Sequence, residues 1–397
     1  MDVAKLRAWW WSRQGLDGSW KGKTAREVLG KAGWARSVGG SNPYLTLWSR
    51  ARIGREEADQ AVADLDIHEL PSARGCTYVL PAEHFALGLA LSDPYNEKGD
   101  IATGKKWFGV TEEEMDRLCS AILDALGSET LDPNEIRTRA GDAVRSLGEE
   151  GKKRGVTSTL PLGLGRLQSR GLIRRVPVNG RLDQQRYLYQ RWANPPTQIF
   201  DAPQSELARL FFEWIGPASL GQFQWFSGLS QTGAKAAVEG LDLVPVAEGS
   251  ELMISSRMLA EFNDFSVPIQ PSYSLLSSLD SLFLLRRDLT DLMDKQDQQR
   301  DVFSERGLRR LGDLQDLPVN AIVDRGRIVG LWEFDMAPAE LVWCSFVEPD
   351  DALREKVERT QSWIAEDLGD ARSFSLDSPA SRRPRLAALR ELAFKTR

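Results

Sequence analysis

An order of helix, helix, helix and β-rich run recurs three times along the chain, and this recurrence constrains the fold most. In the first copy, helical patterns cover residues 1–35, the stretch after Pro43 and EEADQAVADL, and RGCTYVLP (residues 74–81) follows them. Apolar and polar residues alternate through RGCTYVLP, as they do in a half-buried strand. Three helices followed by a strand predict a winged-helix unit at residues 1–100.

The second copy has the clearest helical period and the clearest turn. Met115, Leu118, Ile122 and Leu126 recur at three- and four-residue spacings and predict an amphipathic helix. Two more helical segments precede LIRRVPVNGRLDQQRYLYQRW, in which the Asn-Gly pair at 179–180 predicts a two-residue hairpin turn. The hairpin would be the wing of a second unit at residues 101–200, with TSTLPLGLGRLQSRG as its recognition helix.

A third copy, predicted at residues 201–264, begins with the helix SELARLFFEWIG and ends with the strand pair LVPVAEG and ELMISS. From residue 265 the pattern changes to longer β runs, such as AIVDRGRIVGLWEF, with one amphipathic helix, DALREKVERTQSWIAEDL. The sequence therefore predicts an α+β fold, in which three tandem winged-helix units precede a C-terminal, β-rich and barrel-like domain at residues 265–397.

Composition excludes several classes of chemistry. Two histidines and three widely separated cysteines disfavour zinc sites, disulfide frameworks and catalysis by imidazole. No G-x-x-x-x-G-K-[ST] loop, G-x-S-x-G elbow or G-x-G-x-x-G motif occurs, so we expect neither a metal nor a cofactor. No apolar run reaches membrane length and no secretory signal is visible, which predicts a cytoplasmic protein.

A strongly basic segment interrupts an acidic chain. Residues 137–191, called here the basic island, hold 13 basic and four acidic residues, a local charge of +9 in a chain of −6. Binding to phosphates needs only a local positive potential, so the basic island predicts nucleic-acid binding, with a solvated helix face as the alternative. The predicted phosphate contacts are Lys152, Lys153, Arg154, Arg170, Arg174, Arg175, Arg181 and Arg186, and Gln184 and Gln185 are predicted to reach or support a base edge.

Short motifs spread over nearly the whole chain carry a family resemblance. They are VGGSN followed by LWS (residues 38–49), RGCTYVLPA (74–82), GRLDQQRYLY (180–189), GPASLGQFQWFSGLS (216–230), LLSSLDSLFLLRRD (275–288) and N-x-I-V-x-x-G-x-I-V-G-x-W (320–332). Together these motifs resemble those of the winged-helix DNA glycosylases of the AlkZ/YcaQ type, a family found in bacteria.

The resemblance implies a C-shaped scaffold of three winged helices that binds double-stranded DNA as a monomer. It also implies hydrolysis, without a metal, of the N-glycosidic bond of alkylated purines, including some interstrand crosslinks. In the family, two side chains hold and polarise the attacking water beside a developing oxocarbenium sugar. A base alkylated at N7 is already cationic and leaves readily, so positioning of the water is enough catalysis.

This sequence departs from the family at the catalytic pair. The family's first glutamine falls on Gly39, its second (Gln or Asp) falls on Ser41, and the histidine of R-G-T-L-H falls on Tyr78. Asn42 is the nearest amide, one position late. The resemblance thus predicts Asn42, Ser41 and Tyr78 as the catalytic group, with Arg36 and Arg74 in contact with the DNA.

Several alternatives stay open at this point. A carboxylate such as Asp183 or Glu83 would replace the missing pair, or hydrolysis has been lost and the chain is a silent DNA-binding protein: a lesion sensor, a genotoxin-resistance factor or a regulator. A module that binds an acidic protein is the third alternative. Ser41 and Asn42 also fit a helix N-cap.

We assign the two histidines to the surface or to helix ends, and expect only two residues of the Trp9-Trp10-Trp11 run in the core.

Overall fold

The computed structural model describes residues 2–304 and 307–395, which form a mixed helical and β structure. The helices are α1 Val3–Arg13, α2 Ala25–Ala32, α3 Asn42–Ala51, α4 Arg55–Ala63, α5 Phe85–Asn96, α6 Ala102–Phe108, α7 Glu112–Leu126, α8 Pro133–Ala140, α9 Gly148–Lys153, α10 Leu160–Ser169, α11 Pro203–Ile215, α12 Leu220–Ser227, α13 Gln231–Val238, α14 Ser256–Asp264, α15 Ser281–Leu284, α16 Asp351–Trp363 and α17 Pro379–Lys395. None of these described helices has the length and apolar character needed to cross a bilayer.

The strands form five antiparallel sheets. The strands are β1 Ala35–Arg36, β2 Ile67–Pro71, β3 Thr77–Pro81, β4 Ile173–Pro177, β5 Tyr187–Arg191, β6 Leu243–Pro245, β7 Met253–Ser255, β8 Tyr273–Leu276, β9 Asp301–Ser304, β10 Gly307–Arg310, β11 Asn320–Asp324, β12 Arg327–Asp335 and β13 Glu340–Ser345. The two larger sheets have the strand orders β1-β3-β2 and β13-β12-β11-β8, and the others are two-stranded hairpins.

One arrangement of elements occurs three times. First, α2, β1, α3 and α4 precede the pair β2 and β3, and β3 lies between β1 and β2. Next, α7 to α10 precede β4 and β5, and β5 also forms a bridge between Leu131 and Tyr189. Last, α11 to α13 precede β6 and β7, and β7 forms a bridge between Ala218 and Met253. In each copy the last strand is therefore central.

The predicted wing is confirmed as a hairpin, but its connection is longer than the predicted two-residue turn. Residues 178–186 join β4 to β5. Gly180 has a φ of 74° and makes the expected turn with Asn179, whose side chain accepts from the Arg181 N–H. Leu182 is fully buried in a core with Tyr44 of α3. Because its side chain packs there, the rest of the loop does not pair with β4 and β5.

The C-terminal sheet is open rather than barrel-like in the described part of the chain. Its two edges, β13 and β8, are not joined. One face packs on α16 and α3, through residues such as Val357 and Leu47. The other face packs on α1 and α17, through residues such as Leu386. Helices cover both faces, so the apolar sheet is buried without closing on itself.

All three consecutive tryptophans of α1 are buried, contrary to the expectation of two. Trp9, Trp10 and Trp11 are each less than 5% exposed. The indole N–H groups of Trp9 and Trp10 donate to the carbonyls of Gly216 and Pro217, and the Trp9 ring meets Phe262 edge-on. The helix is thus enclosed on several sides, whereas the expectation assumed a helix with one buried face.

Candidate functional site

The sheet β1-β3-β2 separates two cavities. Arg36 pairs with Tyr78 across β1 and β3, so these two side chains share a face of the sheet. Glu69 of β2 pairs with Val79 and therefore lies on the opposite face. Ser37, the residue after Arg36, points to the side of Glu69. Consecutive residues at the edge of this sheet thus line different cavities.

The larger cavity, the central cleft, has a volume of about 830 Å³. The first sheet, α12 and the segment after α15 form its walls, and Arg36, Arg74, Tyr78, Trp225 and Arg287 define it. The volume lies in the range of small-molecule and nucleotide sites. Three residues predicted from the motifs, Arg36, Arg74 and Tyr78, therefore meet in a single cleft.

Guanidinium groups stack on aromatic rings along the central cleft. The guanidinium carbons of Arg74 and Arg287 lie 4.3 and 4.5 Å from the centre of the Trp225 ring. The guanidinium of Arg36 lies 5.4 Å from the Tyr78 ring and donates to the Thr77 carbonyl at 2.7 Å. Such pairs hold the cations in fixed positions while leaving N–H groups for other acceptors. The cleft is thus a preformed surface for an anionic or aromatic ligand.

Tyr78 contributes a ring rather than a proton to this cleft. Its side chain is 7% exposed and packs against Trp34 and Phe226. Burial raises the pKa of Tyr78 above its usual value, so the hydroxyl is neutral at physiological pH. The predicted catalytic role of Tyr78 stays a prediction, and what the geometry provides is a packing and stacking surface.

The smaller cavity has a volume of about 270 Å³ and is called here the Glu69 cavity. The carboxylate of Glu69 accepts from Ser37 Oγ and from the Tyr187 hydroxyl, each at 2.9 Å, and forms an ion pair with Arg175, whose Nη2 lies 2.8 Å from it. Gln185 of the β4–β5 loop and the backbone of residues 38–39 complete the lining. A buried carboxylate is therefore held by two hydroxyl donors and one guanidinium between the first sheet and the wing.

Acceptor capacity remains on the Glu69 carboxylate. A carboxylate has about four lone-pair sites. The Tyr187 hydroxyl has one proton, and three oxygens lie within 3.1 Å of it: both Glu69 oxygens and the Gln184 carbonyl. Burial and the neighbouring Glu69 raise the pKa of Tyr187, so the proton stays in place at neutral pH. Ser37 and Tyr187 donate hydrogen bonds and Arg175 forms an ion pair, so the Glu69 carboxylate keeps acceptor capacity for a water molecule.

The loop that corresponds to the family's catalytic pair is packed on both sides. A Cβ at Gly39 would lie 2.4 Å from the side chain of Gln185, and the φ of Gly39 is +70°. A Cβ at Gly40 would lie 2.1 Å from the carbonyl oxygen of Ser373. A residue larger than glycine therefore does not fit at either position unless the wing or the segment 372–375 moves.

Ser41 and Asn42 are turned into the protein. Each is 1% exposed, and neither lines the central cleft or the Glu69 cavity. Ser41 Oγ donates to the Arg372 carbonyl at 2.9 Å, so Ser41 occupies the N-cap position of α3 without making a capping bond. Asn42 Nδ2 donates to the Arg36 carbonyl at 2.8 Å. Their predicted catalytic role stays a prediction.

Most cations of the basic island have carboxylate partners close by. The pairs are Arg139 with Glu129, Arg145 with Glu114, Lys152 with Glu149, Lys153 and Arg154 with Glu150, Arg166 with Glu97 and Glu112, Arg170 with Asp93 and Glu97, Arg175 with Glu69, and Arg181 with Asp183. Arg174 and Arg186, with Arg137 and Arg191, have no carboxylate partner in residues 2–304 and 307–395. The net positive charge around the basic island is therefore smaller in the folded protein than the count of charged residues in the sequence suggests.

The two predicted glutamines differ in what they contact. The side chain of Gln185 is exposed and donates to the Val38 carbonyl at 3.2 Å, so it covers the packed loop. Gln184 is half-buried and its carbonyl lies 2.9 Å from the Tyr187 hydroxyl. Both residues therefore lie beside the Glu69 cavity, and their contact with a base edge stays a prediction.

Sequence analysis missed Glu69 and instead weighed Asp183 and Glu83. Asp183 pairs with Arg181, and Glu83 pairs with Arg26 on an exposed surface, so neither lines a cavity described above. A signal for Glu69 was present in the sequence: it is a charged residue between His68 and Leu70 in an otherwise apolar strand. Buried charges require partners, which makes such a position a candidate for a site.

The expectation for the histidines is wrong for His68, which is buried within β2, whereas His84 lies at a helix end, at the N-cap of α5. His68 is 1% exposed between Phe85 and Trp192, and burial lowers its pKa to about 3, so it is neutral. His84 accepts from the indole N–H of Trp34 at 3.0 Å. Within the described ranges, no group of His, Cys, Asp and Glu side chains is arranged to hold a metal ion.

The fold has a known counterpart, and the sequence matches a known family. The structure of the DNA glycosylase AlkZ of Streptomyces sahachiroi superposes with a TM-score of 0.69 at 20% identity, covering 94% of this chain and 98% of that one. At this identity the likeness shows the fold. No curated protein sequence matches the chain. The sequence profile described as DNA glycosylase AlkZ-like matches residues 36–365. The chain belongs to the AlkZ-like DNA glycosylase family.

Proposed function

We propose that this protein hydrolyses the N-glycosidic bond of an alkylated base in double-stranded DNA, with Glu69 holding the attacking water. The observation that carries the proposal is the Glu69 carboxylate, which Ser37, Tyr187 and Arg175 fix in a cavity beside the loop of residues 38–41. The family has its catalytic pair in that loop. In this chain a neighbouring strand supplies the polar group.

The scaffold for DNA is three winged-helix units at residues 1–100, 101–200 and 201–264. The support is the threefold order of helices and strands, in which the last strand of each copy is central. The exposed cations nearest the β4–β5 hairpin contact phosphates and set the orientation of the duplex. We place the protein in the cytoplasm with the nucleoid and expect it to act as a monomer.

The central cleft receives the sugar-phosphate backbone. Arg36 and Arg74 are cations held over aromatic rings, with N–H groups available to phosphate oxygens. Arg287 also lies over Trp225 but pairs with Asp316 of the same cleft, with which a phosphate would have to compete. Arg36 and Ser37 are consecutive and line the central cleft and the Glu69 cavity, respectively. Arg36 is the last residue of the edge strand β1, so we infer that a DNA backbone bound at Arg36 passes over this edge of the sheet and brings its sugar to the mouth of the Glu69 cavity.

The chemistry follows from the leaving group. An N7-alkylated purine is cationic and departs with the bond electrons, which leaves positive charge on the sugar. The Glu69 carboxylate stabilises that charge and accepts a hydrogen bond from a water molecule. The water oxygen then forms a bond to C1′ and passes its proton to the carboxylate, which gives the abasic sugar and the neutral free base. A cavity of about 270 Å³ is large enough for a water molecule and the edge of a sugar. N7-alkylated and crosslinked purines are the expected substrates.

A single-turnover assay tests the proposal. Wild-type protein in excess over a duplex containing N7-methylguanine should yield abasic sites, which alkali converts to strand breaks. We expect Glu69→Gln to lower the rate at least about 100-fold, the usual effect of removing a group aimed at transition-state charge. Its affinity for the duplex should stay within about threefold, because the amide keeps the shape of the carboxylate.

Glu83→Gln is the matched control, because Glu83 pairs with Arg26 on the surface and lines neither cavity. Its excision rate should equal that of the wild type. Excision by Glu69→Gln at the wild-type rate would contradict the role of Glu69 and leave the glycosylase activity intact.

A second candidate function is recognition of damaged DNA without hydrolysis, as a lesion sensor or a resistance factor. The observation that favours it concerns the two positions of the family's catalytic pair: Gly39 is packed against Gln185, and Ser41 is buried and bonded to the Arg372 carbonyl. Wild-type protein that binds the alkylated duplex tightly and salt-dependently, but forms no abasic sites, would establish this function instead.

A further inference from the structure

A third cavity, of about 540 Å³, lies between the end of α3, the turn after α1 and one face of α16. Five cationic side chains line it: Lys21, Arg50, Arg52, Lys356 and Arg359. Arg50 is paired with the buried Asp280, which leaves the other four to bind a ligand. We call it the cationic pocket. It shares no lining residue with the central cleft or the Glu69 cavity, so the argument for it is independent of the proposed hydrolysis.

The positive charge of the cationic pocket is only partly balanced by carboxylates. Asp17 is the carboxylate in its lining, and its oxygens accept from the hydroxyls of Ser12 and Ser19. Arg359 pairs with Glu355 of the same helix. Lys21 and Lys356 have no ion-pair partner in the described residues. Like charges therefore face each other across a partly enclosed space, which costs free energy unless an anion binds.

Two N–H donors in the lining also lack an acceptor. Nη1 of Arg52 and Nε1 of Trp48 are buried and have no hydrogen-bond partner in the described residues. The Arg52 guanidinium lies 5.2 Å from the centre of the Trp48 ring, and Trp48 stacks on Trp363 at 4.4 Å. A buried donor without an acceptor costs desolvation energy, so an anion bound in the pocket would stabilise both groups.

The state of Lys356 agrees with this geometry. Burial and the positive charges of Arg52 and Arg359 lower the pKa of Lys356 to about 7. An anion bound between these three groups would favour the charged ammonium and reverse the shift. Binding should therefore be accompanied by proton uptake at a pH above 7.

We propose that the cationic pocket binds the phosphate group of a ligand through Arg52, Lys356, Arg359 and Lys21. Arginine offers parallel N–H groups to two phosphate oxygens, and lysine offers a compact charge, which together suit a tetrahedral oxyanion. The phosphate belongs either to the DNA backbone or to a separate phosphorylated small molecule. The chemistry of recognition is the same in both cases, and the experiment distinguishes them.

Inorganic phosphate is the probe for the full-length chain. In calorimetric titrations at pH 8 and constant ionic strength, phosphate should bind and also raise the melting temperature relative to chloride. We expect Lys356→Gln and Arg52→Gln to weaken phosphate binding at least tenfold. Lys356→Gln should fold well, because it removes a buried and repelled cation. Arg390→Gln, outside the pocket and paired with Asp335, is the control.

Proton uptake gives a readout that a merely structural role would not change. Titrations in two buffers with different ionisation enthalpies should reveal uptake of protons by the wild type on phosphate binding, and less uptake by Lys356→Gln. The proposal would be overturned if phosphate raised the melting temperature no more than chloride does. It would also be overturned if both pocket variants bound phosphate as tightly as the wild type.

Duplex DNA then identifies the source of the phosphate. If the pocket takes a backbone phosphate, Lys356→Gln lowers duplex affinity, reduces its salt slope by about 1, and inorganic phosphate competes with DNA. If it takes a separate phosphorylated compound, Lys356→Gln loses phosphate binding while its duplex affinity equals that of the wild type. Each outcome supports the pocket and names one source.

Discussion

The hydroxyl of Tyr187 lies 2.9 and 3.1 Å from the two carboxylate oxygens of Glu69, and this contact joins the wing to the first sheet. The two residues are 118 positions apart in the chain. Tyr187 begins β5, and Glu69 lies in the middle of β2. Besides the DNA contact that we propose for it, the wing therefore forms with its base one wall of the cavity in which we place the water.

Replacement of Tyr187 by Phe removes this hydroxyl and keeps the ring. A hydrogen bond to a charged group contributes about 1.5–3 kcal/mol, and sharing of the proton places Tyr187 at the low end. We expect Tyr187→Phe to lower the free energy of unfolding in urea by about 1–2 kcal/mol. Tyr189→Phe, two residues along the same strand and without a hydroxyl partner in the described chain, should change it by less than about 0.5 kcal/mol.

Local patterns predicted local structure well. Met115, Leu118, Ile122 and Leu126 are all fully buried along one side of α7, as their spacing predicted, because helical spacing alone decides which residues share a face. The wing was predicted for the same reason, since an Asn-Gly turn is a local signal. The order of elements in the three copies needed no knowledge of long-range packing.

The site depended on contacts that no local pattern encodes. Arg74 stacks on Trp225, 151 positions away, and Ser41 bonds to the Arg372 carbonyl, 331 positions away. The charge of the basic island was visible in the sequence, but its cancellation by Glu97, Glu112 and Glu114 needed the packing of α7 and the preceding segment on α10. A charge count therefore overestimates an interface whenever the neutralising carboxylates come from other elements.

The packing of Gly40 against the segment 372–375 predicts an intolerant position. The atom nearest to a new Cβ is the backbone carbonyl oxygen of Ser373, which cannot rotate away as a side chain would. We expect Gly40→Ala to lower the free energy of unfolding by about 1–3 kcal/mol, measured in urea. Gly99→Ala, where nothing lies within 4 Å of the new Cβ, should be neutral or slightly stabilising. Equal stability of the two variants would show that the loop moves freely.

Lys356 predicts a pH dependence of stability. Its pKa is about 7 in the folded protein and about 10.4 in an unfolded chain. Between these values the unfolded chain binds one proton more at this residue, so the free energy of unfolding rises with pH. Below pH 7 Lys356 is protonated in both states, and the folded state then bears the full free-energy cost of holding this charge in a buried position. The pKa of Lys356 is lowered mainly by burial and next by the positive charges of Arg52 and Arg359.

Lys356→Met isolates this contribution. In phosphate-free buffer it should be more stable than the wild type at pH 6.5, and its advantage should shrink as the pH rises to 9. Urea unfolding at four pH values measures the difference. Lys153→Met, at an exposed lysine, should show no such trend. An advantage that is constant with pH would mean that Lys356 is charged throughout this range.

Arg74 tests the central cleft as the site of the DNA backbone. Its guanidinium is held over Trp225 and donates to the Trp225 carbonyl at 3.2 Å, which leaves other N–H groups for a phosphate. We expect Arg74→Gln to weaken duplex binding about tenfold and to reduce the salt slope by about 1, as measured by fluorescence anisotropy. Arg209→Gln, at an arginine paired with Glu206 and Glu213 on α11, should bind as the wild type does.

Arg186 and Arg170 test how ion pairing decides which cations of the basic island bind DNA. Arg186 is exposed at the end of the wing loop and has no carboxylate partner in the described residues. Arg170 lies 3.3 Å from Glu97 and 3.8 Å from Asp93, so a phosphate would have to compete with these carboxylates. We therefore expect Arg186→Gln to weaken duplex binding three- to tenfold, by about 1 kcal/mol, and Arg170→Gln to have little effect. The same anisotropy titrations at 50 and 200 mM salt provide the comparison. A loss at Arg170 as large as that at Arg186 would mean that the carboxylates release their arginine when DNA binds.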